Sequence, residues 1–319
     1  MIKKIILGFI ILEIITIGIG YIDNGKYVFL PYTEFSAPAL YYDLDSLYGV
    51  TRQKNTKQLI SYPWGGIPYT TNAMGFRDDS YKPHGILVVG NSYVEGFGVK
   101  VENRFTEILE KQLDVSFNNA GSGGVWSAVQ SYVIAEDFIK KHSELKKILV
   151  ILTPGEILNI DTRTPKTDPL RNFPYKKNDS IVFYKATQKS FGQQLSFKDK
   201  IKRFSKSFFV SKLYTTFKYY GSAKIKTTEY EMNAENFEWL LNKFNLLTKK
   251  VDIDFIILNN LGCKKIKNIH SYENSHQNIY VIDFPDEYSH YFISNGHLNK
   301  KGNKVLAELI NKKIPYLKN

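Results

Sequence analysis

The chain has 319 residues, 43% of them apolar and 14% aromatic, with a formal net charge of +12. That length and apolar content can bury one large core, which excludes a disordered chain and a small cysteine-stapled scaffold. The single cysteine, Cys263, excludes an internal disulfide framework and a cysteine-based zinc cage, and the six histidines show no His/Glu/His helical spacing, so neither metal nor cofactor is expected.

In chain order, Lys3 and Lys4 precede an apolar stretch from Ile5 to Ile22 that is interrupted once, by Glu13. The stretch is near the lower limit for a spanning helix, about 17 to 25 residues, and the paired lysines favour leaving its amino side in the cytoplasm. Residues 1–22 are therefore expected to be a membrane anchor, with residues 5–22 in the bilayer and the remainder extracytoplasmic. A cleaved signal segment is the alternative, with Gly18 and Gly20 as the small residues of a cleavage site. Residues 23–80, rich in turn residues and scattered tyrosines, read as an extension laid on the main domain.

From Ile86 onward the pattern alternates. A strand, Ile86 to Val89, leads to a helix over Arg104 to Leu113, whose Phe105, Ile108, Leu109 and Leu113 share one face. A strand at Val115 to Asn118 runs into Gly121, Ser122, Gly123 and Gly124, followed by a helix over Ser127 to Lys141 and a strand from Lys147 to Leu152. After an insertion come a helix carrying Phe237, Leu240, Leu241 and Phe244, strands at Phe255 to Leu258 and Ile279 to Ile282, and a last helix from Lys300 to Asn311 capped by Asn299. Strands alternating with helices predict a doubly wound parallel sheet covered on both faces, an α/β domain over residues 81–319.

The insertion, residues 161–226, holds sixteen Lys or Arg against four Asp or Glu, a surplus of twelve that equals the net charge of the whole chain. Its lysines alternate with aromatics such as Phe204, Phe208, Phe209, Tyr214 and Tyr219. Such a composition suits anionic lipid, acidic polysaccharide or nucleic acid; export past a membrane argues against nucleic acid. An amphipathic helix pair whose aromatics cover the core accounts for the same pattern.

Gly90, Asn91 and Ser92 follow the apolar run Ile86 to Val89, and His297 stands just ahead of the last predicted helix. A strand that breaks into a Gly/small-hydroxyl turn places the hydroxyl at the carboxyl edge of a parallel sheet, where ligands gather. A serine there needs an imidazole to take its proton, and His297 is placed to supply it.

Gly90 to Val99, Asn119 to Gly124, and Asn295 to Asn299 together resemble the SGNH, or GDSL-type, hydrolases, in particular a membrane-anchored bacterial branch with a Gly75-Phe76-Arg77-Asp78 segment upstream. The resemblance covers about residues 70 to 312. It implies a flavodoxin-like three-layer fold, Ser92 as nucleophile, His297 as general base, and an oxyanion hole built from the Ser92 and Gly124 amides. The chain departs from the family at three places. Asn91 stands where the family usually has Asp. The third block reads Thr153-Pro154-Gly155-Glu156 in place of a Gly-x-Asn-Asp pattern, which leaves Asn159 as the candidate third oxyanion donor. The acid just before the histidine is missing, so Asn295, Asp283 and Asp286 are the candidates to orient the ring.

The function expected is an extracytoplasmic serine esterase acting on acyl groups, acetyl being the simplest, of a cell-surface carbohydrate or lipid, or an acyltransferase on the same site. A degenerate module that binds an anionic glycan or lipid without turnover, or a structural partner docking through the insertion, would share the same fold.

Overall fold

The computed structural model describes residues 2–24, 42–62, 65–124, 127–167, 171–186, 227–285, 287–291 and 296–314. The elements in chain order begin with α1 (Ile2–Asn24), β1 (Tyr42–Asp45), β2 (Gly49–Arg52), β3 (Lys57–Tyr62), β4 (Gly65–Thr70), β5 (Ile86–Gly90) and α2 (Ser92–Glu95). They continue through α3 (Phe105–Leu113), β6 (Phe117–Gly121), α4 (Ala128–Lys141), β7 (Lys147–Leu152), α5 (Pro154–Leu158), β8 (Phe173–Lys177) and β9 (Ser180–Tyr184). The last are β10 (Thr228–Tyr230), α6 (Ala234–Asn245), β11 (Asp252–Asn259), β12 (Lys264–Ile266), α7 (His270–Ser275), β13 (Ile279–Asp283) and α8 (Lys300–Lys313).

β6, β5, β7, β11 and β13 lie side by side in that order, every pair parallel. Their residues alternate between two cores, as the two-residue period of a strand requires. Leu87 and Val89 of β5 join Ile148, Val150 and Leu152 of β7 under α4 and α6, whereas Ile86, Val88, Leu149 and Ile151 face α3 and α8. A sheet apolar on both sides must be covered on both sides, and the result is the expected three-layer α/β architecture. The chain moves from β5 outward to β6 and then crosses back to β7, so the strand order reverses between β5 and β7. A crevice opens at the carboxyl ends of the strands at such a point.

Some expectations shift. β6 begins at Phe117, later than the predicted Val115, because Asp114 closes α3 in the left-handed conformation at φ 54 and spends the next residues on the turn. The predicted extension consists, where described, of two antiparallel hairpins, β1 with β2 and β3 with β4. Within the predicted insertion the described residues form a third hairpin, β8 with β9; residues 187–226, with most of its basic and aromatic run and hence most of the expected helix pair, lie outside the described residues.

The expected membrane helix is corrected in part. Residues 2–24 do form a helix, and Ile5, Leu7 and Ile14 stand exposed on it. Among the described residues, however, no helix is long and apolar enough to cross a membrane.

Candidate active site

The serine lies at the turn between β5 and α2. Asn91 is the N-cap of α2, in extended conformation, and its Oδ1 accepts a hydrogen bond from Tyr93 N at 2.9 Å, which satisfies one of the orphan donors of the first turn. Ser92 is the first helical residue, so its hydroxyl leaves the sheet edge into the crevice. The turn can lie flat on the neighbouring strand only because residue 121 is glycine: a Cβ there would stand 2.2 Å from Glu95 N.

The same Asn91 ties β5 to β7 across the reversal. Its Nδ2 donates to Thr153 Oγ1 at 3.1 Å and to Glu156 Oε2 at 2.8 Å. Glu156 Oε2 also accepts from Thr153 N and Thr153 Oγ1, both at 2.9 Å, which completes the capping box that starts α5. Glu156 is buried with no cationic partner among the described residues, and burial pushes its carboxyl up to about 8, against the pull of the Thr153 hydrogen bonds.

His297 arrives from the far end of the chain. Leu298 bridges Tyr291, and Asn299 caps α8 by accepting from Gly302 N at 3.0 Å, so the backbone on the carboxyl side of the histidine is pinned. The imidazole stacks on Phe97 with ring centres 4.3 Å apart and meets the Tyr93 ring at 5.3 Å, while Tyr93 Oη donates to Gly296 O at 3.1 Å. Held there, His297 Nε2 is 2.7 Å from Ser92 Oγ, across 205 residues of sequence. In the Nδ1–H tautomer, Nε2 accepts the hydroxyl proton, the contact a nucleophile and its base require.

The other expected site residues distribute differently. Gly124 is pressed against β2: a Cβ on it would stand 2.1 Å from Val50 O, and its own amide donates to Ser122 Oγ at 3.2 Å. The neighbouring Gly123, not Gly124, lines the cavity that holds Ser92 and His297. Asn159 lines that cavity as the C-cap of α5, and its Oδ1 accepts from Thr162 Oγ1 at 3.1 Å. Asp283 does not orient His297. It sits at the end of β13 with its carboxylate engaged by His270 Nε2 and by Asn259 Nδ2, each at 2.9 Å. Asp286 and Asn295 lie outside the described residues. Among the described residues no cluster of His, Cys, Asp and Glu is arranged to hold a metal ion.

The cavity around the pair measures about 330 Å³, and Tyr42 of β1, Phe97, Leu261 and Lys264 form part of its wall. A larger groove of about 980 Å³, lined by Lys100, Lys300, Lys301 and Lys304, contains neither Ser92 nor His297. Two buried arginines fasten the extension beneath the site. Arg52 Nε of β2 pairs with Glu95 Oε1 of α2 at 2.6 Å, both side chains almost fully buried. Arg77 donates to the carbonyls of Gly96 and Val99, each at 2.7 Å, with its guanidinium over the Tyr69 ring. The sequence hinted at Arg77 through the Gly-Phe-Arg-Asp segment; it offered no signal for Arg52, Tyr42 or the Phe97 stack.

Among solved structures the chain is similar to a lipolytic protein of the G-D-S-L family from Veillonella parvula, at 14% identity and a TM-score of 0.38, over 71% of this chain and 96% of that one. It is also similar to a protein assigned to the lipolytic G-D-S-L family from Desulfitobacterium hafniense, at 12% identity and a TM-score of 0.38, over 72% of this chain and 98% of that one. No family model and no curated protein matches the chain. Likenesses this distant leave the functional argument to the geometry of Ser92 and His297.

Proposed function

We propose that the chain is a serine ester hydrolase of the SGNH type. The observation that carries this reading is the 2.7 Å contact between Ser92 Oγ and His297 Nε2, placed at the carboxyl edge of a parallel sheet where its strand order reverses and opening into a cavity of small-molecule size. Ser92 Oγ attacks the ester carbonyl while His297 Nε2 takes its proton; the proton then passes to the departing alcohol, leaving an acyl-serine. Water, deprotonated by the same nitrogen, releases the acid and restores the hydroxyl. The Ser92 amide, at the start of α2 where N–H groups lack intrahelical partners, is the natural donor to the oxyanion, and Gly123 is the neighbouring backbone able to supply a second.

The test is covalent labelling and turnover together. A fluorophosphonate should label Ser92 in the wild type and not in Ser92→Ala, and 4-nitrophenyl acetate hydrolysis should fall by at least a thousandfold in Ser92→Ala and in His297→Ala, the order of loss seen when members of such a pair are removed. Equal rates in wild type and Ser92→Ala refute the assignment.

The same reading extends to the cell envelope. The exposed Ile5, Leu7, Ile10 and Ile14 of α1, behind Lys3 and Lys4, support attachment to a membrane, with acylated carbohydrate or lipid outside the cytoplasm as substrate. A reporter active only in the periplasm, fused after residue 60, should be active; activity of a cytoplasm-only reporter at the same site overturns the topology.

A further inference from the structure

The cavity that holds Ser92 and His297 contains one feature that ester hydrolysis does not require. Lys264 opens β12, just past the carboxyl end of β11, and lines the cavity wall. Its backbone is fixed on both sides. β12 pairs with β10 in parallel register, and two residues on, Ile266 N donates to Asn259 Oδ1 at 2.9 Å, folding the chain back over the sheet edge. The side chain reaches across to the start of α5. A Cβ on Gly155 would stand in ordinary van der Waals contact with Lys264 Nζ, at 3.9 Å, which places the ammonium beside the first turn of α5.

Nothing described in the cavity neutralises this cation. Among the described residues no carboxylate lies within ion-pair distance of Lys264 Nζ; its described contact is with the Tyr230 ring, 5.8 Å from the ammonium. The acid that shares the cavity wall, Glu156, is kept protonated to about pH 8 by its burial. Besides His297, the remaining polar lining is Tyr42, Asn91, Ser92, Tyr93, Thr153 and Asn159, none of them a carboxylate. A half-buried ammonium with no counter-charge among the described residues of the cavity costs solvation that a ligand anion would restore, and the charge raises the local concentration of anions.

We propose that Lys264 is a specificity residue that binds an anionic group carried by the ester substrate, a carboxylate or phosphate a few atoms from the scissile carbonyl. This rests on the assignment of Ser92 and His297 as the reacting pair. The anion belongs either to the acyl group or to the alcohol, and the two are separable by choice of probe. Reaction chemistry stays with the serine and histidine; Lys264 orients the substrate by a charge-assisted hydrogen bond.

The experiment uses the full chain and two matched ester pairs. On the acyl side, mono-4-nitrophenyl glutarate is compared with 4-nitrophenyl hexanoate; on the alcohol side, 3-carboxyphenyl acetate with phenyl acetate. The readout is the ratio of kcat/KM for the anionic over the neutral ester, which cancels any common loss of folded enzyme. For one of the two pairs Lys264→Met should lower the ratio roughly tenfold or more, the effect of one charge-assisted hydrogen bond, and Lys264→Glu should lower it further. The pair that responds identifies which side of the ester carries the anion. Ratios unchanged in both variants for both pairs overturn the proposal. Should wild type hydrolyse neither pair and Ser92 resist fluorophosphonate, the hydrolase assignment has failed instead. The proposal is then decided by calorimetric titration with glutarate and with 3-carboxyphenol, where binding of at least one that weakens tenfold in Lys264→Met sustains it and equal or absent binding of both ends it.

Discussion

Glu156 makes the stability of this protein depend on pH in a direction opposite to most carboxylates. Its ordinary value near 4.5 is pushed up to about 8 because the residue is 2% exposed and, among the described residues, no cation pairs with it. The folded protein therefore holds this proton more tightly than the unfolded chain does. Below pH 4.5 both states are protonated and the contribution is fully present; between 4.5 and about 8 the unfolded chain alone ionises, and stability drains away; above 8 both states are ionised and the loss levels off. At about 1.4 kcal/mol per pH unit, the whole span is on the order of 5 kcal/mol. Glu156→Gln removes the titration while keeping an oxygen to accept from Thr153 and Asn91. Urea unfolding of both proteins at pH 5, 7 and 9 measures the difference: the wild type should lose several kcal/mol relative to the variant between pH 5 and 9, most of it before pH 8. Parallel stability curves would show that the carboxyl is already ionised in the fold and would refute the burial argument.

Two further perturbations probe how the extension is joined to the site. Arg52→Met leaves Glu95 buried and without its 2.6 Å partner, and should cost about 3 to 5 kcal/mol in thermal or urea unfolding, with Arg52→Met/Glu95→Gln recovering most of it; a double variant no better than the single would contradict the ion-pair account. Gly124→Ala drives a methyl into Val50 O and should destabilise by about 1 to 3 kcal/mol, read as a lower Tm, while an unchanged Tm would mean that β2 yields freely there.

The legible parts of this fold are those whose physics is local. β5, β7 and β11 are buried on both faces and so read as uninterrupted apolar runs, and the periodic helices α3, α4, α6 and α8 expose their inward faces in the sequence. Ser92 was legible because a strand that ends in Gly90 and a helix start fixes where its hydroxyl goes, and His297 because a helix cap follows it. The hairpins of residues 42–70 carry short strands with little alternation and were seen only as an extension. Arg52, Tyr42 and Lys264 reach the site by packing between segments remote in sequence, and no periodicity marks such contacts. Asp283 misled for the same reason: its position at a strand end is visible, but its engagement by His270 is a tertiary fact.

Asn91 and the Thr153-Pro154-Gly155-Glu156 turn looked like two separate departures from the family pattern, yet in the structure they face each other. Asn91 Nδ2 donates to Glu156 Oε2 at 2.8 Å, so an aspartate at position 91 would set one acid against another at that distance. Two carboxyls so close hold one proton between them rather than ionise together. Asn91→Asp is therefore tolerated where Glu156 keeps its proton and penalised where it does not: near pH 6 the variant should unfold close to wild type, and by pH 9 it should fall behind by about 2 to 3 kcal/mol. Pairing it with Glu156→Gln restores a donor opposite the new carboxylate and should abolish that pH-dependent gap. The same deficit at pH 6 and pH 9, in single and double variant alike, would mean that the two positions are not coupled.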